Sequence, residues 1–218
     1  MKFIFTLVFF SFLFAQTPDV NTILNNTRSK YKSVSDYSAD VSIEVNLNLI
    51  KIKSRSGKVY YKSPDKFKFN SDGFGILPKQ VGNINPDLLL KENHTALYLK
   101  EETLGNIPVD VIRIIPMSDS TDIILTTLWI DKNNFIKKIE SNSKSSGLIK
   151  INITYDNKIK FPLPSQIEIE LNGGLQEDEN KTKRTRISRK SIQGNVLIKY
   201  KNYRINAGID DKIFADEQ

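Results

Sequence analysis

Residues 37–49 read YSADVSIEVNLNL. Apolar side chains at Tyr37, Ala39, Val41, Ile43, Val45, Leu47 and Leu49 alternate with serine, aspartate, glutamate and asparagine. Successive side chains of an extended chain point to opposite faces, so a period of two predicts a strand with one apolar and one polar side. Such a strand belongs to an antiparallel sheet that has one face on a core and the other in water.

The next stretch, GKVYYKSPDKFKFNSDGF over 57–74, supplies the partner strands. Gly57 to Tyr61 and Lys66 to Phe69 read as two strands, and Ser63-Pro64-Asp65 between them has turn chemistry. The ribbon is expected to be a hairpin in the wall of the sheet, with its lysines solvated on the outer side. Upstream the period changes to that of a helix. Thr17 suits an N-cap, Pro18 suits the first helical position, and Val20, Ile23, Leu24 and Tyr31 fall near helical spacing, which predicts a short amphipathic helix over 18–31.

Downstream, glycine, proline and asparagine recur between Phe74 and Asn85, and Asn85-Pro86-Asp87 has the form of a cap before Leu88 to Leu90. This stretch reads as an excursion with a short helix, laid over one face. Strand patterns resume at Ala96–Lys100, Val109–Ile115, Ile123–Asp131, Phe135–Glu140, Leu148–Tyr155, Gln166–Leu171 and Asn195–Ile205. Ten or so strands follow, joined by links too short for parallel crossovers, which take about a dozen residues. No repeat of solenoid or propeller length is present. The expected fold is therefore mainly β: either two facing sheets, or one large curved antiparallel sheet, an unclosed half-barrel, plugged by the N-terminal helix and the excursion. In the second arrangement an imperfect plug leaves an apolar cavity.

The first residues bear on location. Lys2 precedes an apolar run from Phe3 to Phe14 broken only by Thr6 and Ser11, the pattern of a signal peptide with cleavage near Ala15. At about a dozen residues the run is shorter than the roughly 20 of a spanning helix. Residues 1–15 are thus expected to be a leader and 16–218 a single domain, exported and periplasmic. The sequence has no cysteine, and therefore no disulfide and no thiol for lipid attachment. The formal net charge is +7 and the sequence pI about 9.3. A basic exported protein meets anionic lipid or acidic partners sooner than nucleic acid, for which no recognition module is present.

With leader, helix, long strand and hairpin in this order, the sequence resembles the periplasmic lipoprotein carrier family, the LolA-like lipoprotein-sorting proteins. The hairpin Gly57-x-Val59-Tyr60-Tyr61-Lys62-Ser63-Pro64-Asp65-Lys66-Phe67-Lys68-Phe69 carries the resemblance first. Leu128-Trp129-Ile130-Asp131-Lys132 with Phe135-Ile136-Lys137-Lys138-Ile139, and Tyr203-Arg204-Ile205-Asn206 followed by Ile209, Asp210, Asp211 and Phe214, extend it over nearly the whole mature chain. The resemblance implies an unclosed β-barrel with a helical lid over a hydrophobic cavity that receives acyl chains. It also implies a carrier or chaperone that delivers lipoproteins or other lipid to the outer membrane, with an inner-membrane release complex and an outer-membrane acceptor as partners. The family's carriers have an arginine just before the hairpin proline, where this chain has Ser63, and Lys62 beside it points to the other side of the strand. The arginine's role in holding the lid is not carried over. The superfamily also includes an envelope-stress regulator, so a protein-interaction or sensing module is the alternative.

The candidate cavity wall comprises Val41, Ile43, Val45 and Leu47 of the long strand, Tyr61, Phe67 and Phe69 of the hairpin, and Phe74, Ile76, Leu77, Leu88 and Leu89 of the excursion. Alternation does not say what lies opposite a strand, so ordinary core packing competes with ligand contact at each strand position. The stretch QEDENKTKRTRISRK, 176–190, turns from acidic to basic. It reads as a solvated hairpin tip, or as a foot whose Lys181, Lys183, Arg184, Arg186, Arg189 and Lys190 meet anionic headgroups or an acidic partner.

Catalytic readings find little. His94 is the one histidine, expected in an exposed polar turn; there is no thiol nucleophile, no G-x-S-x-G elbow and no phosphate loop. No catalytic residue, metal site or cofactor is expected, and a monomer is.

Overall fold

The computed structural model describes residues 18–48, 50–71, 93–118, 121–145, 147–173 and 193–215. A helix, α1 (Val20–Lys32), precedes ten strands: β1 (Asp36–Leu47), β2 (Ile50–Lys62), β3 (Lys66–Asn70), β4 (His94–Leu104), β5 (Ile107–Pro116), β6 (Ile123–Asp131), β7 (Ile136–Ser143), β8 (Gly147–Tyr155), β9 (Pro164–Asn172) and β10 (Gln193–Ile205). A 3-10 turn, Asp211–Phe214, follows. The strands form one sheet in the order β3-β2-β1-β10-β9-β8-β7-β6-β5-β4, antiparallel at every pairing. The sheet does not close, and β3 and β4 are its edges. Mainly β with an N-terminal helix, it is the unclosed half-barrel of the two expected arrangements; the segment where a short lid helix is expected lies outside the described residues.

The helix starts later than its sequence predicts. Asp19, not Thr17, is the N-cap: its carboxylate accepts from the Asn21 and Thr22 amides at 3.2 and 3.1 Å. A carboxylate two residues further along satisfies the free amides of the first turn better than a hydroxyl before proline. Val20, Ile23, Leu24, Thr27 and Tyr31 share one face of α1, and Leu24 and Thr27 on it are buried. Lys30 and Lys32 sit in the last turn, where positive charge complements the helix dipole.

Register carries the apolar face of β1 across the whole sheet. Ile43 faces Ile198, which faces Ile167, which faces Ile153. Two residues along β8, Ile151 faces Ile139, then Leu128, Ile112 and Tyr98 on β7, β6, β5 and β4. On the opposite face lysines line the hairpin as expected, Lys58 pairing with Asp40 at 3.6 Å. A small cluster of Val109, Val111 and Trp129 is also buried there, with Lys138 4.3 Å from the indole ring.

A polar knot ties three segments at one end of the sheet. The Asp36 carboxylate accepts from the Ala207 and Gly208 amides at 3.0 and 3.1 Å. Asn206 returns the contact: its carbonyl accepts from the Ser35 amide at 2.8 Å and its amide donates to the Ser33 carbonyl at 3.0 Å. The Ser63 amide donates to the Ser35 carbonyl at 2.8 Å, so the hairpin turn joins as well. The exit of α1 is thereby fixed to the end of β10. His94 departs from expectation, since it begins β4 opposite Pro116 and is half-buried rather than standing in a turn.

Candidate functional site

The inner face divides into two halves that differ in what covers them. Over β4–β7 and the Ile153–Tyr155 end of β8, α1 supplies the cover: Leu24 packs with Ile112, Ile114, Leu128, Ile130, Ile136, Ile139 and Ile153, all buried. Its C-terminal end is pinned by polar contacts. The Tyr155 hydroxyl donates to the Ile136 carbonyl at 2.7 Å and lies 2.8 Å from the Tyr31 hydroxyl, which leaves Tyr31 as donor of that pair. Lys30 stands 5.2 Å from the Phe135 ring and Lys137 4.8 Å from that of Tyr155, and the two rings touch. Burial pushes the Tyr31 hydroxyl up to about 12, and also raises Tyr155.

Over β1–β3, β9 and β10 no helix lies among the described residues. At the knotted end this half is closed by its own aromatics: Tyr37 stacks on Tyr61 with centroids 5.3 Å apart and meets Tyr203 edge-on at 5.6 Å. Tyr200 stacks on Tyr203. Tyr61 and Tyr203 donate to the Pro64 and Pro164 carbonyls at 3.3 and 2.8 Å. Burial raises the hydroxyls of Tyr37, Tyr200 and Tyr203 well above the ordinary phenol range. Ile159, Phe161 and Leu163, between β8 and β9, pack on the same cluster.

Burial then falls along the strands. Val41 and Ile43 are buried, but Val45 and Leu47 are half-buried; Ile169 is buried, Leu171 is not; Val196 is buried, while Ile149 and Ile151 opposite β9 are half-buried. The result is an apolar, partly uncovered wall on the inner face at the end away from the knot. Two glycines shape it. Between Leu47 and Leu171, Gly194 contributes no side chain, and a methyl there would strike the Asn46 carbonyl and backbone of β1; its φ of +139° also suits glycine alone. At Gly57 an added Cβ would lie 2.8 Å from the Phe69 ring and strike the Asn70 carbonyl. Lack of a side chain is what lets Phe69 lean over β2.

The candidate wall residues thus separate. Val41, Ile43 and Tyr61 are core; Val45, Leu47, Phe67 and Phe69 border the half-buried wall. Phe74, Ile76, Leu77, Leu88 and Leu89, and the basic set Lys181, Lys183, Arg184, Arg186, Arg189 and Lys190, lie outside the described residues. Ile149, Ile151, Leu171, Gly57 and Gly194 join the wall without having been singled out. Their strands are legible from alternation, but which strand adjoins β1 is not. Among the described residues no group of three or more His, Cys, Asp or Glu could hold a metal ion, and no helix is long and apolar enough to cross a membrane.

No protein-family model matches the sequence, and no curated protein does. Solved structures match at the level of the fold. A DUF1329 family protein from Desulfovibrio piger is similar at TM-score 0.62 and 15% identity, over 91% of this chain and 98% of that one. A candidate outer membrane lipoprotein-sorting domain from Vibrio parahaemolyticus follows at 0.59 and 11%, over 88% and 94%. A LolA superfamily protein from Nitrosomonas europaea matches at 0.54 and 13%, over 92% and 99%. At these scores the open antiparallel sheet of this chain shares its fold with the candidate lipoprotein-sorting domain and the LolA superfamily protein.

Proposed function

We propose that the protein is a non-enzymatic carrier of the bacterial envelope that binds acyl chains, of lipoproteins or of other lipid, against the half-buried wall of its inner face. The observation that carries this reading is the wall itself: Val45, Leu47, Phe67, Phe69, Ile149 and Leu171 on one face, half-buried, in a sheet whose other half is covered by α1. Acyl binding needs no reactive group, since each buried methylene contributes about 0.8 kcal/mol. The shared fold with a candidate lipoprotein-sorting domain supports the same reading, as does the signal-peptide pattern at residues 1–15; a leader over 1–15 and one domain over 16–218 are part of the proposal. Export to the periplasm, release at the inner membrane and delivery to an outer-membrane acceptor belong to the proposal, as does a monomer without cofactor.

Native mass spectrometry of the protein purified from its own envelope fraction tests it. Lipid or acylated protein retained at close to one per chain is the expected result. An unliganded mass that takes up no added acyl probe would overturn it. The long edge strand β4 favours a second reading, a module for a protein partner: Leu97 and Leu99 are 44% and 40% exposed on it. Capture of a protein partner that survives Leu171→Asp but not Leu99→Lys would favour that module over the carrier.

A further inference from the structure

Arg55 stands where an apolar face has no obvious use for it. Its Cα partner on β1 is Ile43, and residues opposite each other in an antiparallel pair share a face. Gly57, Val59 and Tyr61 continue that same face of β2 toward the knot, and the latter two are buried in the core. Just beyond Arg55 the register shifts, Val45 pairing with Ile52, so Arg55 is the last position on this face before a bulge. The Phe69 ring leans over Gly57, two residues away on the same side. Arg55 is exposed and has no hydrogen bond or ion pair with any described residue. The acidic groups at the far end of this face, Asp110 and Glu101, are both taken by Lys132 at 2.8 and 3.1 Å.

We infer that Arg55 receives the anionic end of the ligand, so that the protein selects a lipid whose chain terminates in a carboxylate or phosphate. The inference rests on the acyl-binding reading and narrows it. A guanidinium presents a planar fork of donors matched to an oxyanion, and its methylene stem lies along apolar surface while its head stays in water. The chain of such a lipid lies on the wall beside Val45, Leu47 and Leu171, and its charged end stops at the rim. The lipid-modified end of a lipoprotein carries its chains on ester, amide and thioether groups without charge, and gives this arginine nothing to bind.

The experiment compares palmitate with hexadecanol, the same chain with a neutral end, by titration calorimetry on the whole protein. Wild type is expected to bind palmitate about tenfold more tightly, the size of one charge-assisted contact. Arg55→Gln removes that preference and leaves hexadecanol binding unchanged, while Arg55→Lys keeps part of it. Lys199→Gln, which removes a charge on the outer face beside Glu44, leaves the preference intact. Equal affinity of wild type for the two ligands would overturn the role of Arg55 and leave acyl binding standing. So would a loss in Lys199→Gln equal to that in Arg55→Gln, since the net positive field would then explain the preference. Failure to bind either ligand would overturn the acyl-binding reading, and the inference with it.

Discussion

One inner face of one sheet is treated in two ways. Under α1, the isoleucines and leucines of β5 to β7 meet a helix that fills the space in front of them, and Ile112, Leu128, Ile130 and Ile136 are wholly buried. Beyond the seam at Ile167, the same kind of side chain on β1, β8 and β9 loses cover step by step until Val45, Leu47, Ile149 and Leu171 are half-buried. Composition does not separate the halves, because both are built from the same alternating aliphatic strands. What differs, among the described residues, is whether a second layer arrives. A covered half holds the fold together, and an uncovered half has apolar surface left to offer.

If that contrast is right, truncation divides cleanly. Leu128→Ala leaves a cavity beneath α1 and is expected to cost about 3–5 kcal/mol in denaturant unfolding. Leu171→Ala should cost about 1 kcal/mol, because water or neighbours already share its site, while weakening an acyl probe severalfold. Equal destabilisation by the two variants would erase the distinction between the halves.

A pH series tests the cover from another side. Tyr31 keeps its proton to about 12 in the folded protein, whereas an unfolded tyrosine loses it near 10. Its contribution is therefore fully present below pH ~10 and lost as pH rises toward 12, by roughly 2–3 kcal/mol. Tyr155 on the covered half and Tyr37, Tyr200 and Tyr203 on the other are raised in the same direction, so unfolding free energy should fall steeply in alkali. Tyr31→Phe should flatten the first part of that fall. An unchanged profile would mean that α1 does not seal its end of the sheet.

Gly57→Ala should have a smaller effect on stability, about 1–3 kcal/mol, by forcing Phe69 and the end of β3 away from β2. Acyl probe binding would change with it if Phe69 borders the site. Smallest of all, Lys68→Ala removes an exposed contact to the Ala215 carbonyl at 3.3 Å and is expected to alter stability by less than about 0.5 kcal/mol.

The strands were legible because period two survives in short windows: YSADVSIEVNL alone predicts β1, and Ile123–Asp131 is recovered with its limits. Element ends are less legible, since Asp19 takes the cap that the Thr17-Pro18 pair predicts for Thr17, and β2 extends back through a bulge that alternation cannot register. The site was legible only in part. Val45, Leu47, Phe67 and Phe69 could be named from their strands, but Ile149 and Leu171 join them only because β10 enters between β1 and β9. The face on which Arg55 stands depends on the same long-range register. Local pattern fixes which residues are apolar, while sequence-distant pairing decides which of them meet.

That pairing also orders the assembly of the chain in time. From β4 to β9 every strand pairs with its neighbour in sequence, so this part can form as its residues are made. β1 instead lies between β2 and β10, with Tyr37 beside Ile205, and the knot at Asp36 waits for Ala207 and Gly208. During synthesis the first strand therefore keeps one edge unpaired until the last has emerged. Until β10 has been made the nascent protein remains open along that edge, and available to a chaperone.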